Sequence, residues 1–171
     1  NIYILLVFLI SLNIFSQDVS MQNGTFNRCA PDKFYDSGGE FGAYTSNENY
    51  VTTICSPNAG EFIILNFTSF STQLNLDILT IYDGPDNTAA VIGTYSGSTT
   101  LGAIRASLTS ATGCLTLNFV SNGSGNNSGW TAAISCLETC QTITPSIDST
   151  TPAANAMSVV QIPAGGSVDF N

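Results

Sequence analysis

Apolar and polar residues alternate repeatedly through the middle of the chain, most clearly in CLTLNFVS at residues 114–121. Leu115, Leu117 and Phe119 fall on one side of this run, with threonine and asparagine between them. A period of two is typical of a β-strand that buries one face. The run therefore predicts a strand whose leucine and phenylalanine side chains point into a core.

Five further segments predict strands on similar grounds. Residues 129–136 place Trp130, Ala132 and Ile134 in phase. The other four segments are rich in apolar and β-branched residues and comprise 61–70, 76–83, 90–96 and 101–110. Clusters of Gly, Asn and Ser separate the segments, and helix formers such as Lys and Glu are scarce. We therefore predict an all-β fold, an antiparallel two-sheet β-sandwich.

The first residues, NIYILLVFLISLNIFSQ, are strongly apolar and uncharged. The apolar stretch from Ile2 to Leu12 has the length of a signal-peptide core and is short for a membrane span. We predict a signal peptide at residues 1–16, cleaved between Ser16 and Gln17, whose basic leader is missing from this fragment. A buried N-terminal segment and a retained membrane anchor are the alternatives.

The composition changes again after Cys140. Residues 141–157 are rich in Ser, Thr, Pro and Ala, which predicts a linker. Residues 158–171 resume a strand pattern with a Gly-Gly turn, and we interpret them as the truncated start of a second β-domain. The predicted folded domain therefore occupies residues 17–140, within a longer polypeptide.

Few side chains are charged, and the 12 acidic residues outweigh 3 basic ones to give a net charge of −9. This balance argues against nucleic acid and anionic membranes as partners, and we expect no membrane insertion after signal removal. The absence of histidine removes the commonest general base and the usual zinc ligand. Glu40 and Glu48 form a candidate acid–base pair, but we interpret them as solvated surface charges. We therefore predict that the domain is not an enzyme.

The five cysteines are Cys29, Cys55, Cys114, Cys136 and Cys140. None forms a CxxC pair, and no histidine is present to complete a zinc site. Disulfide bonds are therefore predicted in preference to a metal centre. One cysteine is left over, with a partner expected beyond the fragment.

Four segments follow one another between Cys29 and Cys136, namely LNFTSF, LDILTIYDG, VIGTYSG and CLTLNFVSNGSGNNSGWTAAISC. In their order and spacing they resemble a CUB domain. The resemblance implies a jelly-roll sandwich in an extracellular protein, either secreted or on the cell surface. The final AGGSVDFN resembles the opening of a PKD or Ig-like repeat, as found in large bacterial surface proteins.

The resemblance to the CUB family also implies particular disulfide bonds. It pairs Cys29 with Cys55. Cys114 then has either Cys136, across a β-hairpin, or Cys140 as its partner.

Many CUB domains bind calcium through three acidic residues, and the resemblance places Gln73, Asp77 and Asn122 at those positions. Only Asp77 keeps a carboxylate, and a site with less negative charge binds calcium more weakly. Calcium is therefore a candidate ion, and no cofactor is assigned with certainty. Asp83 and Asp86 are interpreted as turn residues.

Tyr44, Tyr50, Tyr82 and Tyr95 are candidate ligand contacts, since a tyrosine offers both an apolar ring and a hydroxyl group. We predict a non-catalytic binding module of a secreted or cell-surface bacterial protein, which mediates adhesion through a protein or carbohydrate ligand. The alternative is an accessory domain of a secreted hydrolase, of the peptidase type, whose catalytic domain lies outside this sequence.

Overall fold

The computed structural model describes residues 16–138, which form ten β-strands and no helix. In chain order the strands are β1 (Val19–Ser20), β2 (Gly24–Asn27), β3 (Lys33–Tyr35), β4 (Asn49–Cys55), β5 (Glu61–Ser71), β6 (Ile78–Asp83), β7 (Ala90–Tyr95), β8 (Gly102–Arg105), β9 (Leu115–Val120) and β10 (Gly129–Glu138). Between residues 16 and 138 there is thus no helix of the length and apolarity that a membrane span needs. The predicted linker, the predicted second domain and Cys140 lie outside the described residues, as does the predicted signal peptide up to residue 15.

The strands form two five-stranded sheets. The first sheet has the order β1-β3-β10-β5-β8 and the second has the order β2-β4-β9-β6-β7. Neighbouring strands run antiparallel except for two parallel pairs, β1 with β3 and β2 with β4. The predicted all-β sandwich is confirmed. The two parallel pairs were not predicted, because β1 and β2 lie in a segment without clear alternation.

The six predicted strands are all present, and five of them differ only by a few residues at their ends. The exception is the predicted strand at 101–110, because β8 ends at Arg105. Beyond it, the Ser107 N–H donates a 2.9 Å hydrogen bond to the Asp83 carboxylate, and the Ser110 N–H donates to the Ser107 carbonyl at 3.0 Å. These bonds turn the chain away from the sheet.

The core lies between the inward faces of the two sheets. Leu115, Leu117 and Phe119 of β9 are completely buried, as their alternation predicted. The ring of Trp130 in β10 lies edge-on to Phe119, with centroids 4.9 Å apart, and stacks on Phe70 of β5 at 6.1 Å. These aromatic contacts join the two sheets, since Phe119 belongs to one and Trp130 to the other.

The two ends of the sandwich differ in how they are held together. One end, which we call the loop end, carries the segments 36–48, 72–77, 96–101 and 121–128, and hydrogen bonds connect them. The opposite end, which we call the disulfide end, carries both disulfide bonds. β5 runs from the disulfide end to the loop end, so the two ends of the sandwich lie a full strand length apart.

The disulfide pairs are Cys29–Cys136 and Cys55–Cys114. The predicted Cys29–Cys55 pair is therefore wrong, as are both partners suggested for Cys114. Cys29 follows β2 of the second sheet, whereas Cys136 lies in β10 of the first, and their Cα atoms are 5.6 Å apart. This bond consequently links the two sheets.

The bond between Cys55 and Cys114 follows from strand register. β4 and β9 are antiparallel, with Ile54 opposite Leu115. One residue further along, the same register places Cys55 opposite Cys114, with Cα atoms 4.3 Å apart. This distance suits directly opposed residues in an antiparallel pair. The sequence predicted both strands but not the register between them.

Candidate functional site

Asp77 is fully buried where three segments of the loop end meet. Its Oδ2 accepts a 2.6 Å hydrogen bond from the Tyr44 hydroxyl, and its Oδ1 accepts a 2.8 Å bond from the backbone N–H of Asn122. The Asp77 N–H donates to the Gln73 carbonyl at 3.0 Å, which closes a turn. Asp77 therefore holds together the three loops that contain these residues.

Gln73 and Asn122 lie beside Asp77 and hydrogen-bond to each other. Asn122 Nδ2 donates to Gln73 Oε1 at 2.8 Å, while Asn122 Oδ1 accepts from the Ser124 N–H at 2.8 Å. The Gln73 N–H donates to the Tyr44 hydroxyl oxygen at 3.1 Å. The structure thus brings together the three residues suggested for calcium. It adds Tyr44 to them as a fourth member.

The glycine- and asparagine-rich segment 121–128 is attached to its neighbours by further contacts. Asn127 Nδ2 donates to the Thr72 carbonyl at 2.8 Å. Gly125 has a φ of +83°, and a Cβ at this position would lie 2.5 Å from Gln73 Nε2. Glycine adopts this backbone conformation readily and allows the close approach without displacing the Gln73 side chain. The segment is therefore shaped to cover Gln73.

Two exposed leucines flank the same site on the 72–77 loop. Leu74 is 64% exposed and Leu76 is 53% exposed. Between them, the Asn75 N–H donates to the Ser96 hydroxyl oxygen at 3.0 Å. Because hydrogen bonds hold this backbone in place, a partner that contacts the leucines would lose little affinity to ordering the loop.

The sequence matches the family model of the CUB domain over residues 34–134. The chain belongs to the CUB domain family. Its structure is similar to the CUB1-EGF-CUB2 domain of human MASP-1/3, with a TM-score of 0.52 and 20% identity, over 70% of this chain and 44% of that one. It is also similar to the MASP-1 CUB2 domain bound to Ca²⁺, with a TM-score of 0.51 and 20% identity, over 67% of this chain and 98% of that one. At this identity the likeness concerns the fold, and the chain spans under half of the first structure.

Calcium does not fit the arrangement of Gln73, Asp77 and Asn122 in this CUB domain. Calcium sites rely on carboxylate oxygens, and this cluster offers a single carboxylate. Every side-chain oxygen of the three residues already accepts a hydrogen bond from an N–H or O–H group. An amide hydrogen of Asn122, which a cation would repel, points at the Gln73 oxygen. The cluster is satisfied by the protein's own donors.

The four tyrosines suggested as ligand contacts do not share a surface. Tyr44 is 1% exposed because its hydroxyl is used inside the cluster, so an exposed contact at this residue is wrong. Tyr50 in β4 and Tyr95 in β7 are partly buried and pack against the core. Tyr82 follows the buried Ile81 of β6 and therefore lies on the other face of its sheet.

Asp36 is a buried acid that was not predicted from the sequence. It is 1% exposed, and its two oxygens accept hydrogen bonds from the N–H groups of Gly38 at 2.8 Å and Trp130 at 3.1 Å. Burial raises the pKa of the Asp36 carboxyl, while these two hydrogen bonds lower it, and the nearby charge of Glu48 raises it further. Asp36 thus attaches the start of the 36–48 loop to β10.

Glu48 is the second buried acid of this loop, so its prediction as a solvated charge is wrong. It is 5% exposed, because its Oε1 accepts hydrogen bonds from the N–H of Thr45 at 2.6 Å and from the hydroxyls of Thr45 and Ser37. Its Oε2 has no hydrogen-bond partner among the described residues. Glu40, by contrast, is exposed and forms an ion pair with Lys33 at 3.8 Å.

Asp83 and Asp86 lie at the disulfide end and take no part in the site. Asp86 Oδ1 accepts hydrogen bonds from the hydroxyl of Thr88 at 2.6 Å and from its N–H at 2.8 Å. These bonds lower the pKa of Asp86 and confirm its role as a turn residue. Asp83 instead bonds to Ser107, in the loop after β8, and so holds a distant segment.

Proposed function

We propose that this CUB domain is a non-catalytic binding module of an exported protein, and that it binds a protein ligand at the loop end. The observation that carries the proposal is the exposure of Leu74 and Leu76 on a loop whose backbone is held by the buried Asp77. Exposed apolar side chains on a rigid support are typical of protein contacts. The two disulfide bonds support an oxidising compartment outside the cytoplasm.

Protein is a better ligand candidate than carbohydrate for this loop end. Sugar binding relies on aromatic rings that are exposed together. The tyrosines suggested for this role are buried or point to different faces of a sheet, whereas the leucines are adjacent to the site. The net charge of −9 further favours a neutral or basic protein surface as the partner.

A binding experiment with paired variants tests this proposal. The protein is applied to a panel of immobilised extracellular proteins and to an array of neutral glycans. Leu74→Ser/Leu76→Ser should weaken binding to the recognised protein by about tenfold or more. Leu108→Ser/Leu137→Ser is the matched control, since both leucines are exposed at the disulfide end. Protein binding that both double variants retain, or binding to glycans alone, would contradict the proposal.

A further inference from the structure

We infer that a hydrogen bond between two amide side chains joins the loops of the loop end and makes a bound cation unnecessary there. Asn122 Nδ2 donates to Gln73 Oε1 across the gap between the 121–128 and 72–77 loops. By the resemblance described above, these amides stand at two positions that are acidic in many CUB domains. The loop end of this chain therefore keeps its shape without calcium.

The chemistry of the two side chains explains the difference. An ionised carboxylate only accepts hydrogen bonds, so two carboxylates that face each other repel and need a proton or a cation between them. An amide has both a donor and an acceptor, so Asn122 and Gln73 join directly. The remaining acceptor of Asn122 is used by the Ser124 N–H, which leaves no oxygen of the pair without a donor.

The single charge of the cluster is also compensated from within the protein. Asp77 is completely buried, and its two oxygens receive the Tyr44 hydroxyl and the Asn122 N–H. Hydrogen bonds from correctly placed donors stabilise a buried carboxylate in place of a counter-ion. With carboxylates at residues 73 and 122, the same space would hold three negative charges and too few donors.

A further bond between the loops makes the closure less dependent on any one contact. Asn127 Nδ2 donates to the Thr72 carbonyl, one residue before Gln73. All of these links are made by side chains of this chain and none needs a dissociable ligand. The inference concerns the free domain, and it holds whether or not Leu74 and Leu76 contact the protein ligand proposed above.

The test compares thermal unfolding of the protein in EDTA and in millimolar calcium. The wild type should have the same Tm in both, to within about 1 °C. Gln73→Glu/Asn122→Asp should lower the Tm in EDTA by about 5 °C or more, and calcium should restore most of this loss. Gln22→Glu/Asn87→Asp adds the same two charges at exposed positions remote from the cluster. This control should show no calcium-dependent recovery.

Hydrogen exchange of the wild type provides a second measurement, which needs no variant to fold. The backbone amides of 72–77 and 121–128 should exchange at the same rates with EDTA and with calcium. Slower exchange of these segments in calcium would overturn the inference. It would also be overturned if Gln73→Glu/Asn122→Asp were as stable as the wild type in EDTA, since the amide pair would then contribute nothing. Neither result depends on ligand binding, so each is distinct from a failure of the proposed function.

Discussion

The hydroxyl of Tyr44 donates a 2.6 Å hydrogen bond to the carboxylate of Asp77, a residue 33 positions later in the chain. The Tyr44 ring is fixed in the core by an edge-on contact with Phe119, at a centroid distance of 5.0 Å. Burial, and then the bond to Asp77, raise the pKa of the Tyr44 hydroxyl, so it stays protonated as a donor. A core aromatic residue thereby sets the position of the central acid of the loop end.

Tyr44→Phe should destabilise the domain by about 1.5–3 kcal/mol, because it leaves one oxygen of a buried carboxylate without its donor. Urea unfolding at neutral pH measures this loss. Tyr50→Phe is the matched control, since Tyr50 is only half-buried, and it should cost less than about 0.5 kcal/mol. Equal losses in both variants would show that the hydrogen bond to Asp77 contributes little.

Gly129→Ala should destabilise the domain by about 3 kcal/mol or more. Gly129 has a φ of +70°, and a Cβ there would overlap the Asp36 carboxylate, which would have to leave its N–H partners. Gly102→Ala isolates the backbone strain, since Gly102 has a φ of +65° and nothing lies within 4 Å of an added Cβ. It should cost about 1–2 kcal/mol in the same unfolding experiment. A Gly129→Ala loss no larger than this would argue against a tight contact with Asp36.

Glu48→Gln should lower the pKa of Asp36, because it removes a nearby negative charge while its side-chain oxygen still accepts from Thr45. An NMR titration of the Asp36 carboxyl carbon measures the change. Glu40→Gln removes the same charge from an exposed position of the same loop and should leave the Asp36 titration where it is. An unchanged Asp36 pKa in Glu48→Gln would contradict the coupling.

The raised pKa of Asp36, which burial causes and the charge of Glu48 increases, gives the stability of the domain a pH dependence. The pKa of Asp36 is higher in the folded protein than in the unfolded chain. At any pH between these two pKa values, the Asp36 carboxyl therefore binds more protons in the folded protein. Its contribution to stability therefore decreases as pH rises through that window. In Glu48→Gln the two pKa values of Asp36, in the folded and in the unfolded state, lie closer together. The free energy of unfolding should therefore decrease less over the same pH range. Urea unfolding at a series of pH values from about 4 to 7 tests this difference.

Peptide mapping under non-reducing conditions should recover Cys29 linked to Cys136 and Cys55 linked to Cys114. Removing either bond by paired serine substitutions should cost about 2–4 kcal/mol, with the larger loss for Cys29–Cys136 because it closes the longer loop. A recovered Cys29–Cys55 peptide would contradict the register of β4 and β9. Blocking free thiols before digestion prevents exchange and serves as the control.

The strands could be predicted from the sequence because the alternation of apolar and polar side chains is visible within each short segment. Leu115, Leu117 and Phe119 alternate with polar residues, and that period alone determines which face is buried. The cysteine pairs could not be predicted in this way. Cys55 and Cys114 become neighbours only through a register between strands that are far apart in sequence.

The candidate site was predicted in part. Gln73, Asp77 and Asn122 were identified by their place in a family pattern, and the structure brings them together. The burial of Asp36 and Glu48 had no such signal in the sequence. A polar loop that covers its own acidic residues has the same composition as a polar loop that exposes them. Both donors to Asp36 are backbone N–H groups, which every residue except proline has, and Glu48 accepts from one backbone N–H and two hydroxyls.

The Cys29–Cys136 bond spans 107 residues of sequence, and this determines how the domain carries mechanical load. A pulling force applied to the chain before Cys29 and after Cys136 passes from one segment to the other through the covalent bond. The polypeptide between the two cysteines, including the loop end, carries none of that tension. Among the described strands, β1 and β2, which precede Cys29, and the last two residues of β10, which follow Cys136, are in a position to be peeled away. The segments of the loop end would therefore keep their shape in a stretched chain.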